Sequence, residues 1–175
     1  MPRTRHPAKS ANPSPRTASS DATQLLTDDH GEVRALFASY RKLVEGDAGG
    51  DERRPLAEEI CTLLTVHATI EEEIFYPAAR AAGVDSDLLD EAEVEHASAK
   101  ALIAQIRDMQ ADEPLYDAKV TVLGEYVDHH AGEEESELFP KCRAASLDLR
   151  DLGGRLGARK DELMGEMSEG LEVVG

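Results

Sequence analysis

His67 and Glu71 stand four residues apart, and so do His130 and Glu134. On a helix that spacing sets an imidazole and a carboxylate on one face, one turn apart, where both can reach a single point. Each pair is followed by a second glutamate (Glu72, Glu135), a proline ten residues after the histidine (Pro77, Pro140) and an arginine three further on (Arg80, Arg143). A lone histidine precedes each pair, in Asp29-His30 and in Glu95-His96. The offset between the lone histidines is 66 residues and that between the paired ones 63, so the chain reads as one hairpin plan used twice. Imidazole and carboxylate without thiolate suit iron or manganese and permit zinc. Two such pairs, on two helices of a bundle, are what a carboxylate-bridged pair of metal ions requires.

Helices must position these groups, and their boundaries are marked. Asp21 is a good N-cap and Gly46 a good stop for helix one, whose face carries Leu26, His30, Val33, Phe37 and Tyr40. Helix two is expected from about Pro55, with the stripe Leu56, Ile60, Leu63, His67, then Ile70 or Glu71, then Ile74. Pro77 should kink or end it, and Gly83 closes the segment. Helix three, from Ser86 to about Gln110, carries Leu89, Ala92, His96, Ala99, Ile103 and Ile106. Helix four, from Pro114, carries Tyr116, Val120, Leu123, Val127, His130, Glu134 and Leu138, with Pro140 in the place of Pro77. That phase selects His130 over His129, which is rotated by about 100°. A short last helix is expected over about Asp148 to Met167. Residues 1–20, rich in Pro, Ser, Arg and Lys, read as a disordered tail, and His6 lies in it.

The expected organisation is therefore all-α: a tail (1–20), an up-down-up-down four-helix bundle (21–145), and a C-terminal helix and tail (146–175). Only 4% of the residues are aromatic and there is no Trp, which favours a Leu/Val/Ala-rich helical core over a β-sandwich. The net charge of −17 argues against binding a nucleic-acid backbone. Cys61 and Cys142 form no motif and read as small buried side chains. No stretch approaches the ~20 apolar residues of a membrane span, and the basic N-terminus is followed by no apolar segment of a secretory signal. A cytoplasmic monomer or weak oligomer is expected.

Burying a carboxylate without a partner costs several kcal/mol. Two of them on apolar stripes call for a cation, or for ion pairs that Arg34 and Lys100 could supply, each one turn after a lone histidine. Glu72 and Glu135 either face outward or orient a ligand histidine from behind. Glu73, Glu133 and Glu137 read as solvated charges.

These segments resemble the hemerythrin-like (HHE cation-binding) family. The resemblance is carried by Asp28-Asp29-His30, His67 to Pro77, Glu95-His96 and His129 to Pro140; it covers about residues 21–145, and Ala158 to Leu163 also fits. It implies a four-helix bundle around a non-haem di-iron centre, with ligand roles for His30, His67, Glu71, His96, His130 and Glu134, and Glu71 and Glu134 as bridges. The expected cofactor is two iron ions joined by an oxo or hydroxo bridge, ahead of manganese or zinc. Oxygen-carrying hemerythrins have a further histidine where this chain has Lys100, which weighs against reversible oxygen carriage. Tyr126, one turn before His130, is the candidate substitute, as a ligand or as a hydrogen-bonding neighbour; Glu93 is a weaker one. The expected function is to bind or react with a small oxidant (oxygen, hydrogen peroxide or nitric oxide), catalase-like chemistry included. The alternative is an iron- or oxygen-sensing module acting through a partner protein. No catalytic residue and no organic substrate pocket can be read from the sequence.

Overall fold

A computed structural model describes residues 21–172, with side chains through 168. The N-terminal tail with His6, and Gly175, lie outside the described residues. Four helical rods run up, down, up and down. The first is α1 (Ala22–Glu45), and the second is α2 (Gly50–Ile70) continued through a π turn (Glu71–Phe75) into α3 (Tyr76–Ala81). The third is α4 (Ser86–Asp108), and the fourth is α5 (Tyr116–Glu133) continued through a second π turn (Glu134–Leu138) into α6 (Phe139–Ala144). A fifth helix, α7 (Leu149–Glu172), packs on α1, α2 and the first π turn. α1 neighbours α2 and α5, and α4 neighbours α5 and α2, which closes the ring of the bundle. No helix among the described residues is long and apolar enough to cross a membrane.

The N-cap of α1 is as expected: the Asp21 side chain accepts a hydrogen bond from the Gln24 backbone N–H at 3.0 Å. Other boundaries differ. The second rod starts at Gly50, so Pro55 lies inside it rather than in its first turn. The fourth starts at Tyr116, two residues after Pro114, because Leu115 takes a left-handed conformation (φ 73°) that no helix continues. The C-terminal helix is not short; it spans 24 residues, as many as α1.

Neither rod ends at its proline. In each, the turn just before the proline widens: the Tyr76 N–H bonds the Glu71 carbonyl, and the Phe139 N–H bonds the Glu134 carbonyl, five residues back. The wide turn makes room where the ring of Pro77 or Pro140 would strike the carbonyl four residues behind it. It also shifts the phase of the next turn of helix. Uniform α periodicity puts Ile74 on the core face; the structure puts Phe75 and Tyr76 there and leaves Ile74 half-buried. In α2, Leu64 rather than Leu63 is the buried leucine.

The core is divided. One apolar cluster, around Leu26, Ile70, Phe75, Leu89, Phe139 and Leu156, fills the end that α7 covers. A second, around Val33, Ile60, Leu64, Ile103, Leu123 and Val127, fills the other. That other end is closed by Asp117, which accepts from the Tyr40 hydroxyl at 2.6 Å and pairs with Arg53. On all four rods the sequence passes from one cluster to the other through a histidine, so a polar layer crosses the bundle between two dry ones.

Candidate metal centre

α1 supplies His30 to that layer, α2 His67, α4 His96 and α5 His130. Glu71 and Glu134 are the first residues of the two π turns. All six are buried; Glu71 is 0% and Glu134 2% exposed. The histidines converge in pairs, each from adjoining helices. His30 Nε2 lies 3.1 Å from His67 Nε2, and His96 Nε2 lies 3.0 Å from His130 Nε2. Glu71 Oε2 sits 3.2 Å from His67 Nε2 and 3.3 Å from His96 Nε2. Glu134 Oε2 sits 3.3 Å from His30 Nε2 and 3.6 Å from His130 Nε2. Each carboxylate thus touches one histidine of each pair.

Every Nδ1 faces a carboxylate. His30 Nδ1 meets Glu135 at 2.9 Å, His67 Nδ1 meets Asp29 at 3.4 Å, His96 Nδ1 meets Glu72 at 3.0 Å and His130 Nδ1 meets Glu95 at 2.7 Å. These contacts cross between helices. Asp29 precedes His30 but holds His67, and Glu95 precedes His96 but holds His130; Glu72 and Glu135 likewise serve histidines of other rods. A carboxylate at Nδ1 places the ring proton there and leaves the Nε2 lone pair facing inward. Two lone pairs at 3 Å repel unless a proton or a metal ion lies between them.

The donor set fits a metal on three counts. With bonds of about 2.1 Å, two neighbouring ligands of an octahedral ion lie about 3.0 Å apart, the spacing of both Nε2 pairs. Glu71 Oε1 and Glu134 Oε2 are buried and accept no hydrogen bond within the protein, at a cost that a cation would lift. Each inward histidine is oriented from behind, as ligand histidines are. Two donor groups meet at Glu71: His30, His67, Glu71 and Glu134 in one, Glu71, His96 and His130 in the other.

Charge in the metal-free chain follows from this crowding. Burial would lower the His67 pKa, but the Glu71 carboxylate and the Asp29 contact outweigh it and raise it to about 10. Burial would raise that of Glu71, but the imidazoles of His67 and His96 hold it well below the ordinary carboxylate range. Below pH 10 His67 therefore carries a proton where an ion would bind, and binding must expel it. Affinity for a divalent ion should rise with pH, by about tenfold per unit for one proton, until pH passes 10. Calorimetry at pH 7.5 in two buffers of different ionisation enthalpy should show at least one proton released per chain; no release would contradict this assignment.

One inward group is not marked by the helical period of the sequence. Tyr76, 1% exposed, donates its hydroxyl to Glu134 Oε1 at 2.9 Å and lies 3.4 Å from both Glu71 Oε2 and His96 Nε2. Burial, then the charges of Glu71 and Glu134, push its pKa well above 10, so it holds its proton in the metal-free chain. The signal that could have found it is Pro77 one residue on, which forces the wide turn that swings residue 76 inward. Tyr126, the candidate phenol, is not among these converging donors. It lines a cavity beside them and is 47% exposed, because Val127, three residues before His130, takes the core-facing place on that turn. Glu93 is on the outer face, bound to Arg80 at 3.0 Å.

Nor do the candidate cations pair with the buried glutamates. Arg34 holds Glu135 at 2.8 Å and Lys100 holds Glu72 at 2.6 Å, both behind the histidines. His129 is exposed, between Glu95 and Glu133. The thiols stand apart; burial raises Cys61 to about 12 and Cys142 to about 11, which leaves both protonated and inert.

Against the histidines lies a cavity of about 40 Å³, walled by Val33, Leu64, Ile103 and Val127.

Known proteins are similar to this chain. An uncharacterized protein of Mycobacterium tuberculosis is 27% identical over 158 residues, covering 89% of this chain and 94% of that one. A protein of Nostoc sp. described as a DNA nickase is 30% identical over 125 residues, 68% of this chain but only 32% of that longer protein. The crystal structure of a hemerythrin HHE cation binding domain-containing protein from Mycobacterium kansasii superposes with a TM-score of 0.73, at 24% identity over 87% of this chain and 93% of that one. The family profile of the hemerythrin HHE cation binding domain matches residues 21–142, the span that holds all six inward histidines and glutamates, and the chain belongs to that family.

Proposed function

We propose that this chain holds two iron ions and reacts there with a small oxidant, hydrogen peroxide foremost, with dioxygen or nitric oxide as further ligands. The carrying observation is the cavity of about 40 Å³ against four histidines, a size that suits a diatomic molecule or a peroxide. His30, His67, His96 and His130 would hold the metal through Nε2, together with Glu71 and Glu134. Iron, when bound, supplies Lewis acidity and a one-electron couple. The chain's own part is to keep a proton at Tyr76 Oη, to move it between Glu71 and Glu134, and to keep bulk water out with Val33, Leu64, Ile103 and Val127. Free, buried cysteines are compatible with work in a reducing cytoplasm.

Peroxide breakdown balances without another substrate: one peroxide is oxidised to dioxygen, and a second takes its two electrons and two protons to give two waters. The test is metal content together with dioxygen release after aerobic, iron-supplemented expression. The expected result is about two irons per chain and one dioxygen per two peroxides consumed. A chain that retains no metal overturns the reading. Two irons without peroxide turnover, but with a large iron-dependent change in helicity, would favour the regulatory alternative, for which the contact between α7 and the polar layer is the structural handle.

A further inference from the structure

The four carboxylates behind the histidines are not neutralised alike. Arg34 of α1 pairs with Glu135, and Lys100 of α4 pairs with Glu72. In each case the cation stands one turn after the histidine that the carboxylate holds. Beyond the His130 that it holds, Glu95 faces His129 at 3.5 Å, with neither Lys nor Arg paired to it among the described residues. Asp29 differs from all three, because its partner comes from outside the bundle. Lys160 of α7 donates to Asp29 Oδ1 at 2.6 Å, while Asp29 Oδ2 faces His67 Nδ1 at 3.4 Å.

α7 is built to make that contact. Leu152 and Leu156 are buried against Ala22 and Leu26, and Lys160 is the next residue on the same stripe, four further along. The neighbouring Arg159 grips Glu73 in the first π turn at 2.8 Å. Two consecutive basic residues thus tie the fifth helix to the layer from both sides of the α1–α2 seam.

We propose that Lys160 is a positioning residue for one half of the metal centre. Through Asp29 it fixes His67, so the metal position built on His30 and His67 depends on the fifth helix and the one built on His96 and His130 does not. This rests on the metal reading above. Asp29 is 7% exposed, so without Lys160 its charge is buried and uncompensated. The carboxylate is then free to turn outward and release the His67 ring, which weakens one metal position. Outer groups of this kind are worth about 10–100-fold in metal affinity.

The test is release of iron from the loaded full-length chain to a chelator, followed in time, for the parent, K160M, K160R, K100M and R159M. The parent should release iron in two phases, one for each position, and a single phase in every variant would overturn the inequality of the two; in K160M one phase should quicken 10–100-fold, with the other unchanged within about twofold. K160R should restore the parent behaviour, and K100M should quicken the opposite phase. R159M removes the contact of α7 with Glu73 while Leu152, Leu156 and Lys160 keep the helix on Asp29, so it should change neither, which separates positioning from any loss of a basic residue on α7. Lys160→Gln, which can still donate to Asp29, should fall between parent and K160M and serves if K160M does not fold. Equal acceleration of both phases, or of neither, overturns the proposal while leaving the metal reading intact. A parent that binds no iron overturns both.

Discussion

A Glu71→Gln chain is expected to retain less than half of the metal that the parent retains. Glu71 is the residue on which both donor groups converge, 3.2 Å from His67 Nε2 and 3.3 Å from His96 Nε2 through a single oxygen. Its loss therefore weakens both positions at once, whereas loss of one histidine weakens one. If a bound divalent ion is worth 10–16 kcal/mol shared over about four ligands, each ligand carries about 3 kcal/mol, a factor of roughly 100 in affinity per ion. Gln keeps the volume, so packing is preserved, and the metal-free chain should melt within a few degrees of the parent because His67 sheds its proton when the carboxylate beside it is gone. Metal analysis after gel filtration and melting with and without chelator separate the two effects. Glu73→Gln is the control, since Glu73 is exposed and bound to Arg159. Metal retained in full by Glu71→Gln would remove Glu71 from the ligand set.

The bundle and its inward layer are legible in the sequence because helix period and ligand spacing are the same physics. A histidine on an apolar stripe of period 3.6 must face the core, and two stripes with matched offsets must face each other. Legibility ends where the helix ceases to be an α-helix. The extra residue of each π turn moves Ile74 out and Tyr76 in, and a fixed period cannot contain that step. Counting four back from His130 leads to Tyr126; the tyrosine beside the carboxylates lies five after Glu71. The acidic neighbours are visible as residues but not as partners: Asp29 serves His67 and Glu95 serves His130, because each acid reaches across to another rod rather than along its own. Lys160 is the least legible of all. It lies 131 residues from Asp29, on a segment whose glycines at 153, 154 and 157 suggest only a short helix.

Replacing Tyr76 by Phe tests whether the inward phenol sets the chemistry. The fold already accepts a phenyl ring at the equivalent place: Phe139 stands five residues after Glu134, as Tyr76 stands five after Glu71, and it stacks on His30 with ring centres 6.0 Å apart. The variant should therefore fold. It leaves Glu134 Oε1 without its 2.9 Å donor, at a cost of about 1–3 kcal/mol in the metal-free chain. Its larger effect should fall on the loaded protein. A hydroxyl that lies 2.9 Å from one carboxylate and 3.4 Å from the other and from a histidine is placed to pass a proton between them. Peroxide turnover should fall by about 10²-fold or more in Tyr76→Phe, the range for loss of a positioned proton donor, and change little in Tyr126→Phe. If turnover survives in Tyr76→Phe, the hydroxyl only satisfies Glu134, and the proton path must run through the carboxylates alone. If Tyr126→Phe carries the loss instead, the half-exposed ring that lines the cavity is the proton donor.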